Sequence, residues 1–296
     1  MTDVCSNGDR SSKVESRIVI PVVGGSNPLG HPRSPRKWQQ PPLDCGASPG
    51  AACAALASAA LAQMAANVAG AIDGRDPEYL HQLRVGVRRL RTVLRIFKAR
   101  RLDKRLRKLL RSLGEARDWD VFVARFGKGK ARRRVAHLRS RALLSSAQFR
   151  ACFVEVQRWV HANARSGEKP LRRFASKALD RLQRKARKRA RDIDWRDEKA
   201  RHAVRIAVRR LRYACDFFSP CFADAESGLR GLAHLQDLLG DLNDIAVARS
   251  FGGATLARSL DSRERLLVRE LAPAWKAFER RPRFWAGRGR LPAAAR

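Results

Sequence analysis

The stretch His81-Gln82-Leu83-Arg84-Val85-Gly86-Val87-Arg88-Arg89-Leu90-Arg91 returns later in the chain as His202-Ala203-Val204-Arg205-Ile206-Ala207-Val208-Arg209-Arg210-Leu211-Arg212. Both copies read His-x-h-Arg-h-x-Val-Arg-Arg-Leu-Arg, where h is apolar, and they lie roughly 120 residues apart. A match of that length means internal duplication, which bears on architecture before any single element does. Two matched cationic stripes can face one anion.

On a helix advancing about 100° per residue, His81, Arg84, Arg88, Arg91 and Arg95 share an arc of about 80°. Leu83, Val87, Leu90 and Leu94 form a separate core-facing band. The second copy places His202, Arg205, Arg209 and Arg212 in the same way, and Asp216 replaces the fifth cation, closing the stripe with an expected internal salt bridge. Arg89 and Arg210 fall off the arc. Like charges at these spacings cost a few tenths of a kcal/mol per pair, a penalty that a bound anion removes. A solvated basic face is the ordinary fate of one such run; two runs in register, each headed by His, point instead to binding. Arg suits phosphate because its planar fork stays charged and donates two parallel hydrogen bonds. A His beside bound phosphate gains a proton and a donor. If the stripes neutralise about 6–8 charges, log affinity falls with a slope of about −4 to −6 in log salt.

The totals agree with an anionic partner. The 296 residues carry 63 Lys and Arg against 28 Asp and Glu, a formal net charge of +35. Such a charge repels itself unless a polyanion compensates it. Arg-rich codon usage explains part of the excess but not its register. With 44% apolar residues the chain has enough for a packed core.

Patterning beyond the stripes is helical, with no convincing alternating strand. Residues 1–47, rich in Pro, Gly and Ser, read as a flexible arm, and Gly25 to Gly30 lacks the Lys and preceding strand of a phosphate loop. The uncharged, Ala-rich run from Cys45 to Ile72 has Leu56, Met64, Val68 and Ile72 at helical spacing, so it reads as a soluble amphipathic helix and not a membrane span. Asp76 and Pro77 mark a cap and first turn for a helix over about 77–99. Helices are expected at about 101–113, 117–126, 131–145 and 147–164, then at 170–192, 196–218, 225–239, 242–252 and 256–280. The duplicated body spans 48–282, with halves of about 48–166 and 167–282, and 283–296 forms a basic, frayed tail.

The repeat continues past the stripes. Leu113-Gly114-Glu115-Ala116-Arg117-Asp118 pairs with Leu239-Gly240-Asp241-Leu242-Asn243-Asp244, the second copy having gained about five residues. Gly at the left-handed position after a helix is the expected device. Asp118 and Asp244, just beyond, read as capping or Arg-orienting residues. The six cysteines show no zinc-like spacing, and reduced thiols in a cytosolic protein are expected. No secretory signal is visible.

The paired His-x-x-Arg-x-x-x-Arg-Arg-Leu-Arg and Leu-Gly-x-x-x-Asp motifs resemble the CHAD domain, the conserved-histidine α-helical domain, over about residues 50–280. The resemblance implies an all-α fold of two pseudo-symmetric helical bundles around a central basic cleft or pore. It also implies binding of inorganic polyphosphate, in some members on polyphosphate granules in bacteria. Carried over by motif, His81, Arg84, Arg88 and Arg91 line one side of the cleft, and His202, Arg205, Arg209 and Arg212 the other, with Arg95 extending the first stripe. Arg89 and Arg210 also match the motif. The chain has no Glu-x-Glu-x-Lys pattern of the triphosphate-tunnel barrel to which many members are fused.

Two further basic stretches are ambiguous between a solvated face and an added anion track: Lys177, Arg181, Arg184 and Lys188 on one helix, and Lys128 to Arg134, expected in a loop. Three functions are compared. The leading expectation is non-catalytic polyphosphate binding, with no metal or cofactor, in the cytoplasm or on granules. Non-specific RNA or DNA binding is the alternative, but base recognition wants exposed aromatic platforms, and the Trp and Phe residues lie in apolar phase. A phosphohydrolase would need clustered carboxylates holding a metal. Of Asp118, Asp120, Asp241 and Asp244, Asp120 becomes Ala246 in the repeat, so a symmetric metal site is not expected.

Overall fold

The computed structural model describes residues 34–164, 167 and 169–286, with the backbone alone at 254, 255 and 257. Among these residues the fold is all-α. The helices are α1 (Pro49–Asp73), α2 (Pro77–Ile96), α3 (Arg100–Ser112), α4 (Gly114–Phe126), α5 (Lys130–Leu144), α6 (Ala147–Asn163), α7 (Leu171–Ala190), α8 (Glu198–Phe218) and α9 (Ala225–Arg280). A short 3-10 turn, Ser219–Cys221, follows α8.

The Ala-rich α1 sits inside the bundle. It packs chiefly on α2 and also touches α5, α6 and α7. Length and composition alone would let it cross a membrane, yet Leu56, Ala57, Ala60, Leu61 and Met64 are buried in the protein core. Small side chains allow the close approach: a Cβ on Gly70 would lie 2.3 Å from the Tyr79 ring, and one on Gly86 2.8 Å from Met64 Cγ. Ser48 caps α1, and Gly74, at φ 75°, closes it in the left-handed region. Asp76 then accepts from the Glu78 N–H with Pro77 in the first turn, as the sequence suggested.

Three local expectations change. Gly114 and Gly240 do not take the left-handed conformation: Gly114 opens α4 directly after Leu113, and α9 runs straight through Gly240. Leu238, Leu239, Leu242 and Ile245 are all buried, so one apolar face continues across that glycine and nothing favours a stop. The break within α9 comes at Gly253 (φ 72°, ψ −174°). The basic stretch Lys128 to Arg134, expected as a loop, enters α5 at Lys130, where the helix expected from about 131 begins, and Arg133 Nε binds Asp120 at 2.6 Å.

The predicted arm is partly ordered. Residues 1–33, including Gly25 and Gly30, lie outside the described residues, but 34–47 form a strap. Arg36 N–H donates to Asn67 Oδ1 and Gln40 Nε2 to the Phe217 carbonyl. Cys45 is disulfide-bonded to Cys221, so these two thiols are not reduced as expected, and thiol content no longer argues for one compartment. Cys53, Cys152 and Cys215 are free and buried. At the other end Trp285 is buried and its Nε1 donates to Asp180 at 2.9 Å; residues 287–296 of the predicted tail lie outside the described residues.

Candidate functional site

The two stripe helices, α2 and α8, pack against each other, and α4 packs on both α2 and α9. This brings the duplicated residues together. Burial, then the charges of Arg88 and Arg117 with that of Arg205 from α8, push Arg84 down to about 10, against a counter-effect from Asp118. Arg205 is lowered by burial and by Arg88, with Asp244 opposing. Arg209 is lowered too, by burial first and then by Arg88 and Arg205. A guanidinium does not give up its proton in a protein. These shifts therefore express the cost of holding like charges together away from water.

The cluster is poorly satisfied by the protein. Arg84 Nη1 donates to the Leu110 carbonyl at 3.0 Å, but Arg84 Nε and Arg88 Nε are buried with no hydrogen-bond partner among the described residues. Asp118 and Asp244 stand nearby without forming an ion pair to these arginines among the described residues; burial raises Asp118, and Arg84 and Arg205 partly offset it. Tyr213, buried on α8, lies within the field of Arg88. Its burial alone would raise the phenol, but Arg88, Arg209 and Arg89 bring it below its ordinary value.

Each motif His stands at the edge of this cluster. Burial, then Arg117, pushes His81 down to about 4. His202 is also lowered, by burial and Arg205, although its Nδ1 makes a 3.2 Å hydrogen bond with Asn243 Oδ1. A cavity of about 230 Å³ opens beside it, lined in part by His202, Arg205, Asn243 and Leu242.

Other candidates go elsewhere. Arg91 Nε and Arg95 Nη2 bind Asp103 of α3 at 2.8 and 2.6 Å. Arg210 lies off its own stripe but beside these two: burial, then Arg95 and Arg91, push it down to about 10. Arg89 binds Asp216 at 3.2 Å and lies over the rings of Trp38 (4.5 Å) and Tyr213 (4.7 Å). Asp216 thus pairs across the helix crossing, not within α8 as expected, because Arg89 points off the stripe toward it. The charge of Arg212 also acts on Asp216. Lys177, Arg181 and Arg184 line a separate groove with Phe97 and Lys98, and Lys188 is exposed. From α7 it is Arg189 whose charge reaches Arg210.

Arg117, Asn243, Tyr213 and Asp103 join the site without belonging to either stripe. A signal existed for the first two: they occupy matched positions one residue before Asp118 and Asp244, and each acts on its own motif His. Asp103 had none.

The family model for the CHAD domain matches residues 55–252. The chain belongs to the CHAD domain family. Among solved structures, this CHAD domain matches the crystal structure of the CHAD domain from the plant Ricinus communis, with 28% sequence identity and a TM-score of 0.67. The match covers 85% of this chain and 93% of that one. No curated protein matches the chain. The all-α CHAD fold read from the motifs is therefore the fold found.

Proposed function

We propose that this CHAD domain binds inorganic polyphosphate between α2 and α8 and does not turn it over. One observation carries the reading. Arg84, Arg88, Arg205 and Arg209 converge from two helices, the charge of Arg88 helps to lower the other three, and the group includes buried donors with no partner among the described residues. An unpaired buried charge is costly, and a chain of phosphates supplies both the missing acceptors and the missing charge. Placement in the cytoplasm or on polyphosphate granules belongs to the same proposal.

Nucleic acid is the alternative anion, and a net charge of +35 ensures some binding at low salt. The cluster favours a ligand without bases. Tyr213 beneath it is buried, and Trp119 is spent on Phe251, at a centroid distance of 4.0 Å. Neither offers the open face on which a base stacks. Catalysis is disfavoured because Asp120 accepts from both Arg133 and His137, which removes it from the carboxylates a metal would need.

The test is competition at physiological salt. Long-chain polyphosphate is expected to displace RNA from the wild-type protein, and the double variant Arg88→Glu/Arg209→Glu is expected to lose polyphosphate while keeping its helicity. Arg134→Glu/Arg265→Glu, at exposed positions, serves as the control. Equal losses in both pairs, or no preference over RNA, would overturn the reading.

A further inference from the structure

The α2 stripe does not end chemically at Arg88; it continues through Arg91 and Arg95. Those two differ from the central four. Asp103 reaches them from α3, and its side chain is 9% exposed, with one oxygen on Arg91 Nε at 2.8 Å and the other on Arg95 Nη2 at 2.6 Å. Off the central cluster on α2, Asp216 plays a similar part, holding Arg89 beside Arg212. Ion pairs therefore begin where the open cluster ends. Among the described residues Arg84, Arg88, Arg205 and Arg209 have none.

Building on the polyphosphate reading above, we infer that Asp103 is a resident counter-ion that terminates the anion track. It occupies the two cations next in line, so that a phosphate chain engages the segment from His81 to Arg88 and from His202 to Arg209 but does not continue along α2. Asp103 thereby sets how many phosphate residues the site takes. A carboxylate suits this role because it competes for the same guanidinium donors as phosphate. Its burial on α3 fixes it in place at a position that a mobile counter-ion would leave.

The experiment measures the salt dependence of polyphosphate binding, together with the phosphate residues bound per protein at saturation. Asp103→Asn keeps the shape and removes the charge. Freeing Arg91 and Arg95 should steepen the slope of log affinity against log salt by about 1.4, two contacts at about 0.7 each, and raise the number of phosphates bound. Asp237→Asn, at an exposed position on α9, raises the net charge equally and should leave the slope unchanged. Arg91→Gln/Arg95→Gln should leave the wild-type slope alone and cancel the gain in the Asp103→Asn background. An unchanged slope in Asp103→Asn, or the same gain in Asp237→Asn, overturns the inference. If Asp103→Asn does not fold, the Arg91→Gln/Arg95→Gln variant still decides: a slope shallower by about 1.4 would mean that these arginines already hold phosphate. Failure of the wild-type protein to bind polyphosphate sinks the underlying reading instead.

Discussion

Arg88 of α2 and Arg209 of α8 bear on each other across the crossing of the stripe helices, and neither forms an ion pair among the described residues. What stands with them is a phenol: Tyr213 lies within the field of both charges. The arrangement is one a stable core would avoid. The sequence repeat bears on it, since two like cationic helix faces packed together bring the charge of both to the seam without adding counter-ions. The Leu-Gly motif adds carboxylates at Asp118 and Asp244, close enough to oppose the positive field but not hydrogen-bonded to neutralise it.

Arg209→Met should therefore stabilise the anion-free protein while weakening it as a binder. Replacing a partly buried charge that forms no ion pair among the described residues by an apolar side chain of similar length removes a desolvation cost, and a gain of about 1 kcal/mol would raise Tm by about 2–4 °C. Affinity for polyphosphate should fall by about 1.5–3 kcal/mol, the range for a hydrogen bond to a charged group. Thermal unfolding with and without polyphosphate reads both effects. A variant that is less stable without the anion would show that the cluster is not frustrated.

Binding should tighten as pH falls. In the free protein His81, held near 4, is neutral at pH 6, and His202 is lowered in the same direction. Adjacent phosphate favours the imidazolium, so the complex takes up protons, and affinity rises from pH 7.5 toward 5.5. Calorimetry in buffers of different ionisation enthalpy measures the uptake, and His81→Asn/His202→Asn should flatten it. Stability without the anion should run the other way. The folded value of His81 lies below its unfolded value of about 6.5, so the unfolded chain binds more protons. This contribution is present above pH about 6.5 and is lost as pH falls toward about 4. Affinity independent of pH would remove the histidines from the site.

The stripes, their opposition and the helical fold were legible because duplication and a period of 3.6 residues are written directly in residue order. What stayed hidden involves partners remote in sequence that share no period. Asp103 meets Arg91 and Arg95 only because α3 folds back on α2. Asp216 looked like a partner for its own helix, since the wheel gives the phase of one helix but not the neighbour that Arg89 will meet. Gly240 looked like a helix stop because glycine often is one. The buried Leu238, Leu239, Leu242 and Ile245 outweigh that local preference, since tertiary packing supplies most helical stability. The strap from 34 to 47 reads as an arm by composition alone, and only the contacts of Trp38, Gln40 and Cys45 show that it is held.

The contact of α1 with α2 should tolerate no added bulk at Gly70. A Cβ there would stand 2.3–2.5 Å from three carbons of the Tyr79 ring, and that ring is a rigid neighbour. Gly70→Ala would gain helix propensity, worth about 1 kcal/mol, but overpacking of this kind costs about 1–3 kcal/mol. Net destabilisation is expected in urea unfolding. Pairing it with Tyr79→Leu should recover part of the loss if the ring is the obstacle, whereas an equal loss in both backgrounds would place the strain elsewhere.

The strap gives the last prediction. The Cys45–Cys221 bond spans 176 residues of sequence, tying the segment before α1 to the turn after α8, and Trp38 on the same strap covers Arg89. Cross-links that close long loops chiefly restrict the unfolded chain, and losing one costs about 2–4 kcal/mol. Cys45→Ser/Cys221→Ser should therefore lower the free energy of unfolding by that amount, measured by urea unfolding. A non-reducing peptide map should join these two cysteines and leave Cys53, Cys152 and Cys215 as thiols. Burial pushes Cys53 up to about 12 and Cys152 to about 11, so at pH 8 they should resist alkylation until the protein is denatured. Polyphosphate binding should survive the double variant, because the central arginines are held by α2 and α8 and the strap meets the motif arginines at Arg89. Loss of binding together with the bond would instead make the strap part of the site.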